Sequence, residues 1–316
     1  MPESQPAEKP AIPGGLLPIR TVASLTGVNP VTLRAWERRY NLVTPHRTPK
    51  GHRLYSHENV ELIRQILDLL EQGISIGQVK PLLEQSSTEV PAVPASGQTD
   101  AWRNYKQTLL EAIEAFDERA LDNAYNDALS LYPVDTVSQR LTTPILRILG
   151  EQWQDAETGI AQEHFFSVYL RNKLGTRIHH LNQQAKGPLL LQACLPGEFH
   201  ETGLLFFSLA SVNHGYRLLL LGANTPLQQL PAVLEKKHCE GIVLSCMYKP
   251  SRNVLDKDLP ELVSLVQLPV FVGGSCALRA QKKIEAAGAI CLGETIGNGI
   301  KIVNQHIPPV TGTNTR

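Results

Sequence analysis

The chain has 316 residues, 42% of them hydrophobic, and its 30 Lys and Arg balance its 30 Asp and Glu. That length supports two or three domains, each with its own core. No charged-then-apolar leader opens the chain, and no apolar run reaches the roughly 18 residues of a membrane span, so a membrane protein is excluded and a cytoplasmic location is expected. Five cysteines, Cys194, Cys239, Cys246, Cys276 and Cys291, form an odd set without CxxC spacing. They read as buried, reduced thiols.

In chain order, residues 1–15 are rich in Pro, Glu and Gln and read as a disordered tail. Residues 16–86 carry helical periodicity interrupted by one basic loop. Residues 87–99 turn to Ser, Pro, Thr, Ala and Gly, the composition of a linker. Residues 100–186 hold four helical stretches, broken near Phe116-Asp117, Tyr132-Pro133 and Thr158-Gly159, which predicts a four-helix bundle. After Gly187 the period changes to short apolar runs at Leu189–Leu195, Arg217–Leu221, Gly241–Met247, Val270–Val272 and Ala289–Leu292. Helical stretches such as Pro226–Lys237 and Arg279–Ala287 separate them, so residues 187–306 predict a Rossmann-like α/β domain with a parallel sheet. Residues 307–316 are expected to be a tail.

The neutral total conceals a local bias. Between Leu16 and Ser56 stand Arg20, Arg34, Arg38, Arg39, Arg47, Lys50 and Arg53 against the single acid Glu37. A cationic excess confined to one segment points to nucleic acid. Leu17-Pro18-Ile19-Arg20-Thr21-Val22-Ala23 begins a short helix, Gly27-Val28-Asn29 turns, and Pro30 suits the first position of a second helix. That helix carries Thr32, Arg34, Trp36, Glu37, Arg38, Arg39 and Tyr40, with Arg34 and Arg38 one turn apart on a face suited to a major groove. The loop from Pro45 to Leu54 adds Arg47, Lys50, His52 and Arg53 around Gly51, as a phosphate-gripping wing would. A solvated cationic helix pair explains the charge but not this order of elements.

The segment Thr32-Leu33-Arg34-Ala35-Trp36-Glu37-Arg38-Arg39-Tyr40, with Thr48-Pro49-Lys50-Gly51-His52-Arg53-Leu54-Tyr55 after it, resembles the signature and wing of MerR-family transcription regulators. Val60–Leu70 and Ile76–Leu83 match that family's next two helices. The resemblance implies an α winged helix-turn-helix that grips double-stranded promoter DNA, with Thr32, Arg34, Arg38, Arg39 and Arg53 at the duplex and Tyr40 and Tyr55 positioning the backbone. Trp36 suits the core better than the groove. The family's long dimerisation helix is not expected here, because Pro91 and Pro94 arrive too soon.

The most informative segment is Glu198-Phe199-His200-Glu201-Thr202-Gly203, which follows an apolar run. Forty-one residues separate Gly203 from Ser245-Cys246-Met247, and twenty-five more precede Gly273-Gly274. The pattern resembles the corrinoid-binding motif Asp-x-His-x-x-Gly, Ser-x-Leu, Gly-Gly of cobalamin proteins. It implies His200 as the cobalt ligand, Glu198 in the family's Asp position as acceptor of the other ring N–H, Gly203 beneath the corrin, Ser245 at the base of the nucleotide tail, and room for that tail at Gly273 and Gly274. Within the bundle, nine residues separate Trp153 from Glu163-His164. Alone these read as core and surface residues. With the downstream motif they resemble the cap of light-sensing, adenosylcobalamin-binding MerR regulators of the CarH/LitR type, which implies that all three contact the adenosyl group.

One position departs from that pattern. Gln154 stands where the best-known photoreceptors have a histidine that binds cobalt after illumination, and an amide is a poor cobalt ligand. His164, His179 and His180 are the other candidates for that role. The resemblance implies a non-enzymatic regulator that senses adenosylcobalamin and light, self-associates as a dimer or tetramer, and acts on RNA polymerase indirectly. Two other readings stand beside it: a regulator whose degenerate cobalamin domain receives a partner protein, and a corrinoid-enzyme subunit, against which the DNA-binding module argues.

Overall fold

A computed structural model describes residues 15–85, 98–152 and 157–309. The 1–15 tail and 87–99 linker fall outside these apart from Gly15, Gln98 and Thr99, as do the proline-rich stretch that bears on a dimerisation helix, Trp153, Gln154 and residues 310–316. The chain divides into two compact units, Met1–Ala112 with Arg119–Thr142, and Ile113–Glu118 with Thr143–Arg316. The division cuts through the helical region expected at 100–186 instead of following its ends.

In the first unit, Leu17 and Pro18 pair with Tyr55 and Leu54 as strand β1 (Leu17–Pro18), so the helix expected from Leu17 starts two residues later, as α1 (Ile19–Thr26). Gly27, at φ 72°, ends it with its N–H on the Ala23 carbonyl. Asn29 caps α2 (Pro30–Ala35) by accepting the Val31 N–H at 2.8 Å, and Pro30 at N1 forfeits no bond. The chain then widens into one π-helical turn, Trp36–Tyr40, closed by Asn41 in the left-handed region. Strands β2 (His46–Arg47) and β3 (Arg53–Tyr55) form the wing, and a Ser56–Asn59 capping box starts α3 (His57–Glu71) before α4 (Ile76–Gln85). The unit continues through α5 (Gln98–Glu114), α6 (Glu118–Leu131), α7 (Val134–Val137) and a π turn at Ser138–Thr142. The last two residues of α5 and the first of α6 belong to the other unit.

The second unit contains α8 (Thr143–Gln152), α9 (Gly159–Asn182) and a five-stranded parallel sheet, β4 (Leu189–Cys194), β5 (Arg217–Gly222), β6 (Gly241–Ser245), β7 (Val270–Gly273) and β8 (Ile290–Gly293). Their order is β5-β4-β6-β7-β8. The sequence reverses direction across the sheet between β4 and β6, the point where open α/β folds receive ligands. Helices α10 (Thr202–Asn213), α11 (Leu230–Lys236), α12 (Leu259–Leu265), α13 (Ser275–Arg279), α14 (Gln281–Ala286) and α15 (Ile296–His306) cover the faces. The single helices expected over Pro226–Lys237 and Arg279–Ala287 are each interrupted, the first by a 3-10 turn at Leu227–Gln229 and the second at Ala280.

Every residue of β4 is buried, as a central parallel strand requires. Its one polar member, Gln192, accepts the Ser208 hydroxyl at 2.6 Å and donates to Ser211 Oγ at 3.1 Å on α10. At the sheet edge, the Asn182 amide at the end of α9 donates to the Leu218 carbonyl (2.9 Å) and accepts the Leu218 N–H (2.7 Å). That clasp fixes α9 to β5. The tail expected from 307 begins later: Ile307 is buried and its carbonyl accepts the Tyr216 hydroxyl at 2.6 Å. Four of the five cysteines are buried free thiols; Cys291, expected to be buried, is only half-buried.

Gly274 has φ 118°, and a Cβ there would lie 2.6 Å from the Cys246 carbonyl oxygen, a backbone atom that cannot give way. Gly274→Ala is therefore expected to cost about 2 kcal/mol or more, read as a fall of several degrees in thermal denaturation. Ser275→Ala, which loses only a 3.0 Å hydrogen bond to the Met247 carbonyl, should cost less.

Candidate functional site

The second helix of the basic module presents two faces. Arg34 and Arg38 are exposed on one, with Val31 beside them. The other face carries Thr32, Trp36 and Arg39. Thr32 is fully buried and donates to the Leu129 carbonyl at 3.4 Å; Trp36 is fully buried and its indole Nε1 donates to the Leu131 carbonyl at 2.8 Å. Arg39 lies 3.7 Å from Asp127. Thr32 therefore departs from the expected DNA-facing position, because its hydroxyl serves the end of α6. Trp36 is core, as an indole in this position should be.

The wing is organised by the one acid in the segment. Glu37 accepts Arg47 at 2.6 Å and Arg53 at 2.5 Å, joining both wing strands to the recognition helix. Burial alone would raise the Glu37 carboxyl, but hydrogen bonds and charge from Arg53 and Arg47 outweigh it and hold the group below its ordinary value. Lys50 and His52 flank Gly51 (φ 81°) at the exposed tip, where Gly51 N–H meets the Thr48 carbonyl at 2.8 Å. Tyr40 is half-buried. Tyr55, expected to position a phosphate backbone, is instead fully buried under the wing.

In the other unit, the loops after β4 and β6 meet at one carboxylate. Glu198 is 3% exposed, and its Oε1 accepts the His200 amide and the His200 Nδ1–H, each at 2.8 Å. Its Oε2 accepts the amides of Met247 at 2.9 Å and Tyr248 at 2.6 Å. Burial pushes the Glu198 carboxyl up, but the His200 ring, the His200 and Tyr248 amides and the imidazole charge pull it further down, so it is ionised and can only accept. The proton of a neutral His200 ring accordingly sits on Nδ1, and Nε2 is the free donor atom. The ring itself is raised above its ordinary value by the Glu198 hydrogen bond, against burial, with smaller help from the Glu198 and Glu163 charges.

The loop after β5 is sewn to the same place. Asn224, in the left-handed region at φ 46°, donates its N–H to the Glu198 carbonyl and accepts the Gly197 N–H on Oδ1, both at 2.8 Å. Glu201 Oε1 accepts the Ala223 N–H, and its Oε2 meets Arg171 of α9, both at 2.9 Å. Gly203 abuts Met247: a Cβ would come within 2.9 Å of its sulfur. Gly273 packs against Leu292 in the same way, at 3.2 Å. Gly274 is thus demanded by close packing against backbone and Gly273 is tightly packed against a side chain, a constraint separate from the room expected of them. Ser245 is buried at the carboxyl end of β6 beside the Cys194 thiol, which burial pushes up to about 12.

On α9, Glu163 accepts the Ser167 hydroxyl at 2.7 Å and lies 3.7 Å from His164, whose ring is mostly exposed. Glu163, by its charge on His200, and Arg171, by its ion pair, place this helix at the histidine loop. Trp153, the third expected cap residue, lies outside the described residues. His179 and His180 sit sixteen and seventeen positions beyond Glu163, roughly 24 Å along the helix, hydrogen-bonded to Gln183 and Gln184. They are remote from His200. Tyr248, which sequence reasoning missed, stacks on the His200 ring at 5.0 Å and 14°. Arg171 and Asn224 were missed as well; isolated polar residues in helices and loops carry no spacing signal.

These halves define a class: a DNA-binding regulator joined to a parallel-sheet ligand domain. Residues 17–86 match the MerR HTH family regulatory protein model and residues 105–177 the B12 binding domain model. The HTH-type transcriptional repressor CarH of Myxococcus xanthus is 31% identical over 276 residues, 84% of this chain and 91% of that protein. CarA of the same organism is 30% identical, over 86% and 91%. The monomethylamine corrinoid protein of Methanosarcina barkeri superposes with TM-score 0.52 at 18% identity, over 65% of this chain and 99% of that one, a likeness of fold alone. The chain belongs to the MerR family of transcription regulators, in the branch that carries a cobalamin-binding domain. It is a DNA-binding regulator and not an enzyme.

The Glu37 clamp makes an acid-dependent prediction. Its carboxyl is held below the ordinary 4.5, so its stabilisation is complete above that value and fades as pH falls through the lower folded value. Glu37→Gln should unfold more easily at neutral pH by about 1–2 kcal/mol, with the gap to the parent closing below pH 4.5 in denaturant titrations.

Proposed function

We propose that this regulator holds adenosylcobalamin through His200 and adjusts its grip on promoter DNA according to the state of that cofactor and to light. The observation that carries the reading is the Glu198 clamp. One ionised carboxylate fixes the His200 ring and the amides of the neighbouring β6 loop, and leaves imidazole Nε2 as a donor at the sheet's switch point. The surroundings fit a large, partly apolar ligand. Phe199 is 65% exposed and Tyr248 64%, and Ile160 and Val168 of α9 and Leu220 and Leu221 of β5 are exposed as well. A single imidazole suits a cobalt ion whose remaining nitrogen ligands come from a macrocycle.

In this reading His200 Nε2 would ligate cobalt, Glu198 keeps the ring oriented and basic, and Gly203 would let the loop approach the corrin. Ser245, Gly273 and Gly274 line the nucleotide tail, and Trp153, Glu163 and His164 hold the adenosyl side. Adenosylcobalamin supplies a cobalt–carbon bond that light can break. Gln154 does not supply an imidazole, and His179 and His180 are too far along α9, so His164 beside Glu163 is the histidine that would act in its stead. Arg34, Arg38, Arg39, Arg47, Lys50, His52 and Arg53 carry the DNA contacts, with Tyr40 supporting the backbone. Self-association to a dimer or tetramer follows the cofactor state, and RNA polymerase is affected through promoter occupancy in the cytoplasm.

The test is spectroscopic. Chain purified with adenosylcobalamin in darkness should retain a red chromophore after dialysis, and His200→Ala should lose it or carry the spectrum of a cofactor without imidazole. Blue-green light should change the spectrum and the gel-filtration volume of the parent, and His164→Ala should alter the light product while leaving dark binding in place. Folded protein that stays colourless would remove the cofactor from the reading and favour a domain that receives a partner protein.

A further inference from the structure

The end of helix α6 rests on the recognition helix. An α-helix leaves its last carbonyls without intrahelical donors. Here the Leu131 carbonyl, on the last residue of α6, receives the buried Trp36 indole N–H at 2.8 Å, and the Leu129 carbonyl receives the Thr32 hydroxyl at 3.4 Å. The recognition helix thus caps α6. At the rim, Asp127 reaches Arg39 at 3.7 Å and is itself held by the Tyr105 hydroxyl at 2.6 Å. Beside these contacts lies a cavity of about 380 Å³ lined by Val31, Ala35, Arg38, Arg39 and Ser130. Two of the expected DNA residues, Thr32 and Arg39, are therefore engaged by α6, and a third, Arg38, opens onto a space that α6 partly closes.

We propose that this contact is an autoinhibitory latch: α6 holds the recognition helix in a docked state that must release for Thr32 and Arg39 to meet DNA. The inference rests on the winged helix binding DNA, but not on the identity of the cofactor. Its regulatory sense comes from sequence position. Helix α6 lies inside residues 105–177, the segment that matches the B12 binding domain. The element that occupies the DNA reader packs in the first unit but lies within the stretch of sequence that matches the B12 binding domain. Docking weakens apparent DNA binding by the inverse of the undocked fraction, without any change in the reading residues.

The experiment uses the full chain and a labelled duplex selected with it from a random-sequence pool. Val31→Cys/Ser130→Cys, joined by a short bis-maleimide across the cavity, fixes the docked state; the same variant capped at both sites with N-ethylmaleimide is the unlinked control. The linked form is expected to bind the duplex about tenfold more weakly or worse than the capped form. Tyr105→Phe, which preserves every charge but frees Asp127, is expected to bind it several-fold more tightly than the parent, with far-ultraviolet circular dichroism unchanged. Equal affinity of linked and capped forms overturns the latch. So does tighter binding by Asp127→Asn with none by Tyr105→Phe, which reports a removed charge only. A capped form and a parent that bind no selected duplex overturn the DNA-binding reading and the latch together.

Discussion

The ligand half of this molecule depends on one buried carboxylate. A charge withdrawn from water is tolerated only when its lone pairs are met, and Glu198 meets four N–H donors at 2.6–2.9 Å. Those donors come from two loops about fifty residues apart in sequence, which the sheet order makes neighbours because β4 and β6 pair directly. The dependence runs both ways. Without the β4–β6 pairing the donors would not converge, and without the carboxylate the two loops would present unmatched amides at the mouth of the sheet. The side chain's length matters too. Glu reaches one methylene further than the Asp more usual in the resembling motif, and with that reach one carboxylate serves its own loop through Oε1 and the next loop through Oε2.

Around that centre the remaining loops are joined by smaller ties of the same kind. Asn224 gives up an ordinary backbone conformation to bond both Gly197 and Glu198, and Glu201 bonds the β5 loop and α9 together. At its far end α9 is clasped to β5 by Asn182. A helix held at Arg171 and Asn182 by polar bonds, with Ile160 and Val168 exposed on the turns before both, is positioned without being sealed down. That is the arrangement a large ligand requires: a fixed rim and an apolar wall that gains its burial only when something arrives.

How much of this was legible follows from where each signal is stored. Strand identity is stored locally, in apolar runs of three to seven residues, and all five strands of the parallel sheet lie within a few residues of the runs that announce them. The histidine motif is stored in spacing, so His200, Ser245 and the glycine pair could be read before any fold was known. Burial of Thr32 and Tyr55 could not, because each depends on what the rest of the chain lays over it: the end of α6, ninety-seven residues on, for Thr32, and the wing's own underside for Tyr55. The hydrogen bonds of Arg171 and Asn224 are equally non-local. Periodicity reports which face of an element is apolar; it does not report which polar group a distant element will bring to it.

The balance of charge also reads differently once partners are known. Of the cations in the basic module, Arg47 and Arg53 face Glu37, and Arg39 faces Asp127. The first two pairings tie both wing strands to the helix before them, so the one carboxylate of the segment orders two of its arginines even as it subtracts charge. The third pairing is of another kind. It is exposed and long, a contact whose worth in water is small, and it stands beside a buried indole bond that is neither. A contact surface with one firm bond and a weak polar rim can be displaced by a duplex that offers many phosphates at once, since counterion release scales with the number of phosphates met. DNA and α6 therefore compete for the recognition helix on terms that salt concentration alone will shift.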